Sequence, residues 1–373
     1  MTVHLDRPLD ALVIGAGPAG LAASRELTRR GVAHAVLERG ERVGTTWRNT
    51  YDSLTLHTGR HMSALPGLGH GRAAPLFLPR DAFVAYLERY ADRFRLPLVT
   101  GREVTRARRA DGGWVVDTPE GQARARHLVL ATGIMSNPLR PEVAGEERFG
   151  GRVLHSVDYR RPGPFAGRRV LVVGAGNSAG EIASELAGAG VDVTLSVRSG
   201  ANVVPLRLFG IPIQYLAFVV GQLPPPARSA VVGLVQRLTE LRRGPPVLPR
   251  PAGGPLDSIP LIGFHLVDAI REGRVALRGG LTHLDEGRAH FAEGDAVAVD
   301  DVILATGFRA AVQPIRESVR VDERGFVRRT ARVVAEGAQD LFVVGHNYDS
   351  TGGLFNIRRD APRAARLIAG RAG

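Results

Sequence analysis

The chain has 373 residues, with 49 basic against 37 acidic side chains and a formal net charge of +12, and every basic residue is an arginine. The absence of lysine removes Schiff-base chemistry, and the absence of cysteine removes a disulfide framework, thiolate metal sites and a CxxC redox centre. The length suits two domains, and the arginines are scattered rather than interleaved with aromatics, which argues against a nucleic-acid partner.

The first predicted strand, Ala11-Leu12-Val13-Ile14, runs into Gly15-Ala16-Gly17-Pro18-Ala19-Gly20 and then a small-residue helical pattern over 21–27. Strand, glycine turn and helix make a dinucleotide fingerprint. The glycines let the backbone approach a pyrophosphate, and the helix N-terminus supplies partial positive charge. The next strand, Ala35-Val36-Leu37, ends on Glu38, 23 residues after Gly15. A carboxylate there accepts hydrogen bonds from ribose hydroxyls and repels a 2′-phosphate, so this site suits FAD or NAD and not NADP.

Residues 80–94 have helical periodicity, with Phe83, Tyr86, Leu87 and Tyr90 on one face and Asp81 as N-cap. Short strand patterns follow, Trp114-Val115-Val116 the clearest. Two segments then echo each other, His127-Leu128-Val129-Leu130-Ala131-Thr132-Gly133 and Asp301-Val302-Ile303-Leu304-Ala305-Thr306-Gly307. Each is an apolar strand whose small final residues admit a second backbone or a cofactor. Between them lies a second fingerprint, Val170-Leu171-Val172-Val173 leading into Gly174-Ala175-Gly176-Asn177-Ser178-Ala179-Gly180 and a helical pattern over 181–186. Its second strand ends at Arg198-Ser199, with Arg198 24 residues after Gly174. A guanidinium at that place clamps a phosphate in a planar fork, so the second site suits NADPH.

The apolar stretch 208–223 is interrupted by Gly210, Pro212 and Gln214 and stopped by Pro224-Pro225-Pro226, too broken for a membrane span. It reads as a buried hairpin beside a substrate pocket, with peripheral membrane contact as the alternative. A Pro/Gly-rich segment, 245–255, follows. The chain closes with Leu341-Phe342-Val343-Val344-Gly345, a turn through Gly352-Gly353 and a helix to about residue 368, a place to meet an isoalloxazine ring. The predicted fold is α/β: two Rossmann-like dinucleotide-binding domains, one of 1–159 with 302–373 and a second, 160–301, inserted into it and carrying the apolar hairpin near 200–260. The short polar start carries no signal peptide, which points to the cytoplasm.

One further segment, Phe149-Gly150-Gly151-Arg152-Val153-Leu154-His155-Ser156-Val157-Asp158-Tyr159, has the pattern F-x-G-x-x-x-H-x-x-x-Y. With both fingerprints and Ala-Thr-Gly-Phe at 305–308, the chain resembles the class B flavoprotein monooxygenases, in the flavin-containing monooxygenase branch. Baeyer–Villiger enzymes usually carry Trp where this chain has Tyr159. Tyr51-Asp52-Ser53-Leu54-Thr55-Leu56-His57, Leu65-Pro66 and Leu37-Glu38-Arg39 are similar to the plant YUCCA-type enzymes, which oxidatively decarboxylate indole-3-pyruvate to indole-3-acetate.

The resemblance implies FAD at the first site and NADPH at the second. FAD would meet Gly15, Gly17, Pro18, Ala19, Gly20, Glu38, Arg39, Thr46, Trp47 and His57; NADPH would meet Gly174, Gly176, Asn177, Ser178, Ala179, Arg198 and Ser199. Thr132, Gly133, Ala305, Thr306 and Gly307 complete the cofactor-binding set. His57, Trp47 and His155 are the candidate catalytic residues, with Trp47 and His57 flanking the flavin; for His155 and Tyr159 a hinge or orienting role fits better than direct proton transfer, and no metal is called for. The implied activity is oxygenation of a small organic substrate with O2, through a C4a-(hydro)peroxyflavin. Oxidative decarboxylation of a 2-oxo acid leads; N- or S-oxygenation of a small metabolite is the alternative, and NADPH oxidation without an oxygenated product a further one. Two departures bear on the substrate: many flavin-containing monooxygenases carry Asn where this chain has His57, and the tail Gly345-His346-Asn347-Tyr348-Asp349-Ser350-Thr351 differs from the plant enzymes.

Overall fold

The computed structural model describes residues 5–110, 112–251, 259–349 and 351–372. Residues 252–255 of the Pro/Gly-rich segment and Ser350 of the final turn lie outside the described residues. In chain order, the elements that matter here are β1 (Leu9–Ile14), α1 (Pro18–Thr28), β2 (His34–Leu37), α2 (Arg80–Phe94), β3 (Gly121–Leu130), β4 (Arg152–His155), β5 (Arg169–Val173) and α3 (Asn177–Gly188). They continue with β6 (Asp192–Ser196), α4 (Ile213–Val220), α5 (Pro225–Arg243), β7 (Val275–Arg278), β8 (Asp301–Leu304), β9 (Ala338–Val343) and α6 (Gly353–Ala372).

The chain divides into two compact units, one of residues 1–49, 54–137 and 308–373, the other of 50–53 and 138–307. The breaks fall at 137/138 and 307/308 rather than at 159/160 and 301/302. The reason is strand pairing: β4, expected in the outer domain, lies parallel to β8 with Leu154 opposite Ile303, so the linker belongs to the inserted sheet.

In the first unit β9-β3-β1-β2 form the parallel heart of a larger sheet. β1 is buried at Ala11, Leu12, Val13 and Ile14, and an all-apolar run is what a strand covered on both faces requires. One face is covered by α1, α2 and α6, through Leu21 and Leu27, Phe83 and Leu87, and Ala361 and Ile368. The other is covered by a layer that includes Trp114, Val116 and Ile315. Each such fully buried large side chain contributes about 1.5–3 kcal/mol relative to exposure. α2 spans the predicted residues, but its N-cap is Pro79; Asp81 sits inside the first turn and accepts from Arg80 Nε at 2.8 Å.

In the second unit five parallel strands run in the order β7-β6-β5-β8-β4. α3 packs with its buried Ile182, Ala183 and Leu186 inward. The segment expected to be a buried hairpin is two helices, α4 and α5, after a short ribbon pairing Arg207–Leu208 with Ile211–Pro212. It is not buried: α5 has no buried residue and α4 only Gln214. No helix among the described residues is long and apolar enough to cross a membrane.

Candidate functional site

In the first unit the turn after β1 uses its three glycines for three different reasons. Gly15 has φ +101°, and a Cβ there would sit 2.8 Å from the Ala131 carbonyl oxygen. Gly20 faces the Gly15 carbonyl, which a Cβ would strike. Gly17 has nothing within 4 Å of a Cβ, so it faces open space, and as N-cap it leaves the amides of the first turn of α1 without a side-chain acceptor. That combination is a cradle for an anion, which fits the pyrophosphate of a dinucleotide. Pro18 begins the helix where no amide partner is needed, and Ala19 is buried behind it.

Glu38 is buried at the end of β2. Its Oε2 accepts from Ala16 N at 2.7 Å and its Oε1 from Gly40 N at 2.9 Å. The carboxylate is thus locked beside the glycine turn, with lone pairs left for ribose hydroxyls. Arg39 is exposed, without an ion-pair partner among the described residues.

Thr46 and Trp47 lie in the one-turn helix Thr45–Arg48, half-buried, and Trp47 meets Phe83 of α2 edge-on at 4.8 Å. His57 is half-buried on the short strand Thr55–Gly59. Thr132 is held by its hydroxyl, which donates to Ala311 O at 2.5 Å, and Gly133 takes φ +67° with open space beside it.

The end of the chain returns to this place. A Cβ at Gly345, φ +91°, would lie 3.0 Å from Ala19 Cβ, and one at Gly352 would lie 3.2 Å from Thr58 Oγ1, next to His57. The glycine turn, Glu38, the Ala-Thr-Gly end at 131–133, the His57 strand and the last turn thus converge within one unit.

Sequence reasoning missed the polar group that supports this last turn. Asp360 is fully buried in α6; Arg332 Nε donates to its Oδ1 at 2.5 Å and Asn347 Nδ2 to its Oδ2 at 2.7 Å. Burial pushes the Asp360 carboxyl up, against those hydrogen bonds and the arginine charge. His346, also buried, is pushed down to about 3, chiefly by burial and then by the nearby Arg329 charge, so it is neutral. No local pattern marks either residue: Asp360 follows Arg358-Arg359, and Asn347 sits between His346 and Tyr348.

The second unit repeats the design. Gly174, φ +137°, abuts the Ala305 carbonyl, Gly180 abuts Leu261, and the N-cap Gly176 faces open space. Each Ala-Thr-Gly strand end therefore lies against the first glycine of a fingerprint, Ala131 against Gly15 and Ala305 against Gly174. Thr306 donates to Leu139 O at 2.5 Å, and Gly307 has φ +93°.

Arg198 stands exposed after β6 with its stem over Gly280, where a Cβ would come 3.3 Å from Arg198 Cγ. It has no carboxylate partner among the described residues, and Ser199 beside it is exposed as well. Ser178 is half-buried in the first turn of α3, ahead of the buried Ala179. Asn177 is differently engaged: its Nδ2 donates to Pro260 O at 3.1 Å and its Oδ1 accepts from Ile262 N at 2.8 Å. That side chain ties down a neighbouring strand.

The linker is built into the same unit. His155 Nε2 donates to Gly307 O at 3.1 Å and Nδ1 accepts from Val157 N at 3.2 Å. Burial lowers its pKa, so the ring is held neutral with both nitrogens on backbone. Tyr159 donates to Glu185 at 2.9 Å and Tyr51 to Glu181, one turn earlier on α3. Burial and the glutamate charges raise both phenols, keeping them protonated as donors. At the sheet edge the fully buried Asp301 accepts from Arg152 at 2.6 and 2.8 Å and from Arg168.

A family model described as pyridine nucleotide-disulphide oxidoreductase matches residues 12–204. The chain is 33% identical over 313 residues to "Indole-3-pyruvate monooxygenase YUCCA1" of Oryza sativa subsp. japonica, covering 81% of this chain and 77% of that protein. It is 30% identical to "Probable indole-3-pyruvate monooxygenase YUCCA4" of Arabidopsis thaliana, covering 96% and 89%. The chain belongs to the class B flavin monooxygenases, close to the YUCCA group.

The flavin-containing monooxygenase of Stenotrophomonas maltophilia has the same fold, with a TM-score of 0.78 at 24% identity over 98% of this chain and 99% of that one. The protein is a flavin-dependent monooxygenase, and its cofactors are FAD and NADPH. The disulphide chemistry in the family model's description has no counterpart here, because the chain contains no cysteine.

Proposed function

We propose that the first unit holds FAD, that the second holds NADPH, and that the enzyme oxidatively decarboxylates a 2-oxo acid with an aromatic side chain. The observation that carries the cofactor assignment is the pair of strand ends: a locked carboxylate, Glu38, after β2, and after β6 an exposed guanidinium, Arg198, without a carboxylate partner among the described residues. The substrate class rests on the names of the relatives, at 30–33% identity along most of the chain.

When bound, FAD and NADPH would supply the redox chemistry that activates O2, which the chain's own side chains do not provide. The chain's own groups do the rest. Gly17 and the amides of α1 seat the pyrophosphate, and Glu38 receives the ribose. Trp47 and Thr58, beside His57, are fixed by Phe83 and by the close approach of Gly352. Arg198 reads the 2′-phosphate. No lysine or cysteine is present to act as a covalent nucleophile, and none is required. In the overall reaction one oxygen atom enters the shortened acid, the other leaves as water, and the 2-oxo acid carboxylate leaves as carbon dioxide.

The test is turnover of indole-3-pyruvate and phenylpyruvate beside amine and sulfide substrates. NADPH consumption, oxygenated product and hydrogen peroxide are measured together. Carbon dioxide and the shortened acid in near-equal amount to NADPH consumed are expected from the 2-oxo acids. Product from amines or sulfides alone would replace the substrate class. Peroxide accounting for all NADPH with every compound would remove the oxygenase reading.

A further inference from the structure

We propose that α4 and α5 form a docking face for an anionic phospholipid bilayer. Of ten large apolar side chains that are exposed among the described residues, nine lie between Phe209 and Ile259. Leu241 is 82% exposed, Phe209 74%, Val219 61% and Leu234 57%. Scattered surface leucines need no explanation, but this concentration in one segment does.

On α5 the exposed Leu234, Leu238 and Leu241 follow helical spacing and form one stripe. Arg237 and Arg242 flank that stripe on its two sides at 100° per residue. The Arg242 guanidinium lies 5.7 Å over the Phe209 ring, which joins the stripe to the ribbon before α4.

Charge selects the occupant. Residues 207–250 contain six arginines and a single acid, Glu240, which is itself paired with Arg250 at 2.5 Å. Arg237 and Arg242 have no acidic partner among the described residues. A second copy of the chain seated here would set arginine against arginine, since an isologous interface repeats the same patch on both sides. An anionic lipid surface supplies both missing counterparts: headgroup phosphates for the arginines, and an acyl boundary for the leucines and phenylalanines. The arginines along α5 make insertion across a bilayer costly, so the pair of helices lies in the plane of the headgroups with the arginine stems reaching outward.

The test is co-sedimentation of the flavin-loaded full chain with vesicles of phosphatidylcholine alone and of phosphatidylcholine mixed with phosphatidylglycerol. Binding to the mixed vesicles and not to the neutral ones is expected. Leu234→Gln, Leu238→Gln and Leu241→Gln together should weaken it by about tenfold or more. Arg237→Gln and Arg242→Gln should each cost about fivefold, while the control pair Arg288→Gln and Arg320→Gln, outside residues 207–250, should change it by less than about twofold. Bound flavin and NADP⁺ affinity, both read off the vesicles, should stay as in the parent for all variants, which separates loss of docking from loss of fold.

Failure to sediment with the mixed vesicles would overturn the proposal. So would binding that survives the leucine variant, or that falls equally in the control arginine pair. A concentration-dependent dimer abolished by the leucine variant, without vesicle binding, would assign the face to a second copy instead.

Discussion

Gly17 and Gly20 lie three residues apart and answer to different forces. A Cβ at Gly17 points into open space, whereas one at Gly20 strikes the Gly15 carbonyl. Gly17→Ala should therefore leave the thermal midpoint within about 2 °C of the parent and lose most bound flavin, read as the absorbance ratio of flavin to protein. Gly20→Ala should lower both, because the backbone itself must shift. Equal loss of stability in the two variants would mean that Gly17 is a packing glycine and not part of a ligand cradle. Arg198→Ala isolates the other strand end. It should weaken NADP⁺ by about tenfold or more, the worth of a charge-assisted hydrogen bond, and leave NAD⁺ nearly unchanged in titrations of the flavin-loaded protein. An equal fall for both nucleotides would remove Arg198 from phosphate recognition. The places of Glu38 and Arg198 just after their strands were legible in the sequence because a strand end sits at a fixed distance from its fingerprint. Asn177 was only half legible: its place in the motif was right, but its amide is held by Pro260 and Ile262, 83 and 85 residues away, and no local pattern records such a partner.

Strands and helices with one strong period were legible as elements, and β1, α1, α2, α3 and β8 stand where their patterns put them. The misread element is α4–α5. An apolar run states that a segment avoids water, not which surface covers it, and the same run fits a core hairpin and an uncovered helical face. The edge strand β4 was placed in the wrong domain because four residues of partner preference are invisible beside an eleven-residue motif; only the pairing with β8 and the Arg152–Asp301–Arg168 group reveal its sheet. That group makes a test of the edge. Burial pushes the Asp301 carboxyl up, but hydrogen bonds from Arg152 and Arg168 outweigh it and hold the pKa below the ordinary aspartate value. A depressed carboxyl stabilises the fold above its unfolded pKa and loses that contribution as pH falls through the folded one. Asp301→Asn should lower stability by about 2 kcal/mol near neutral pH, less than for breaking a fully buried pair because both arginines stay partly in water. The difference from the parent should shrink below about pH 4, as measured by urea midpoints across the range. A difference that persists unchanged in acid would assign the effect to packing, not charge.

At the scale of the molecule the two units differ in how the chain supplies them. The second draws its whole parallel sheet from 138–307, with only residues 50–53 from elsewhere. The first needs three segments, because β9 pairs with β3 and α6 covers α1 through Ile357, Ala361, Ala364 and Ile368. A long-range pairing of that kind forms late, since the loop between its strands must close first. The fragment 138–307 should therefore unfold cooperatively by itself and bind NADP⁺ within about tenfold of the whole chain. Its shortfall should reflect the lost Tyr51 bond to Glu181, worth about 1 kcal/mol, and adding Tyr51→Phe to the whole chain should reproduce it. The fragment 1–307 keeps Gly15, Gly17 and Glu38 yet lacks β9 and α6, and it should hold no flavin, because the sheet that presents those residues has lost a neighbour and α1 its cover. Flavin retained by 1–307 would mean that the first fingerprint closes without the end of the chain, and failure of 138–307 to bind NADP⁺ would mean that residues 50–53 are needed for the shape of α3 and not only for its last increment of stability.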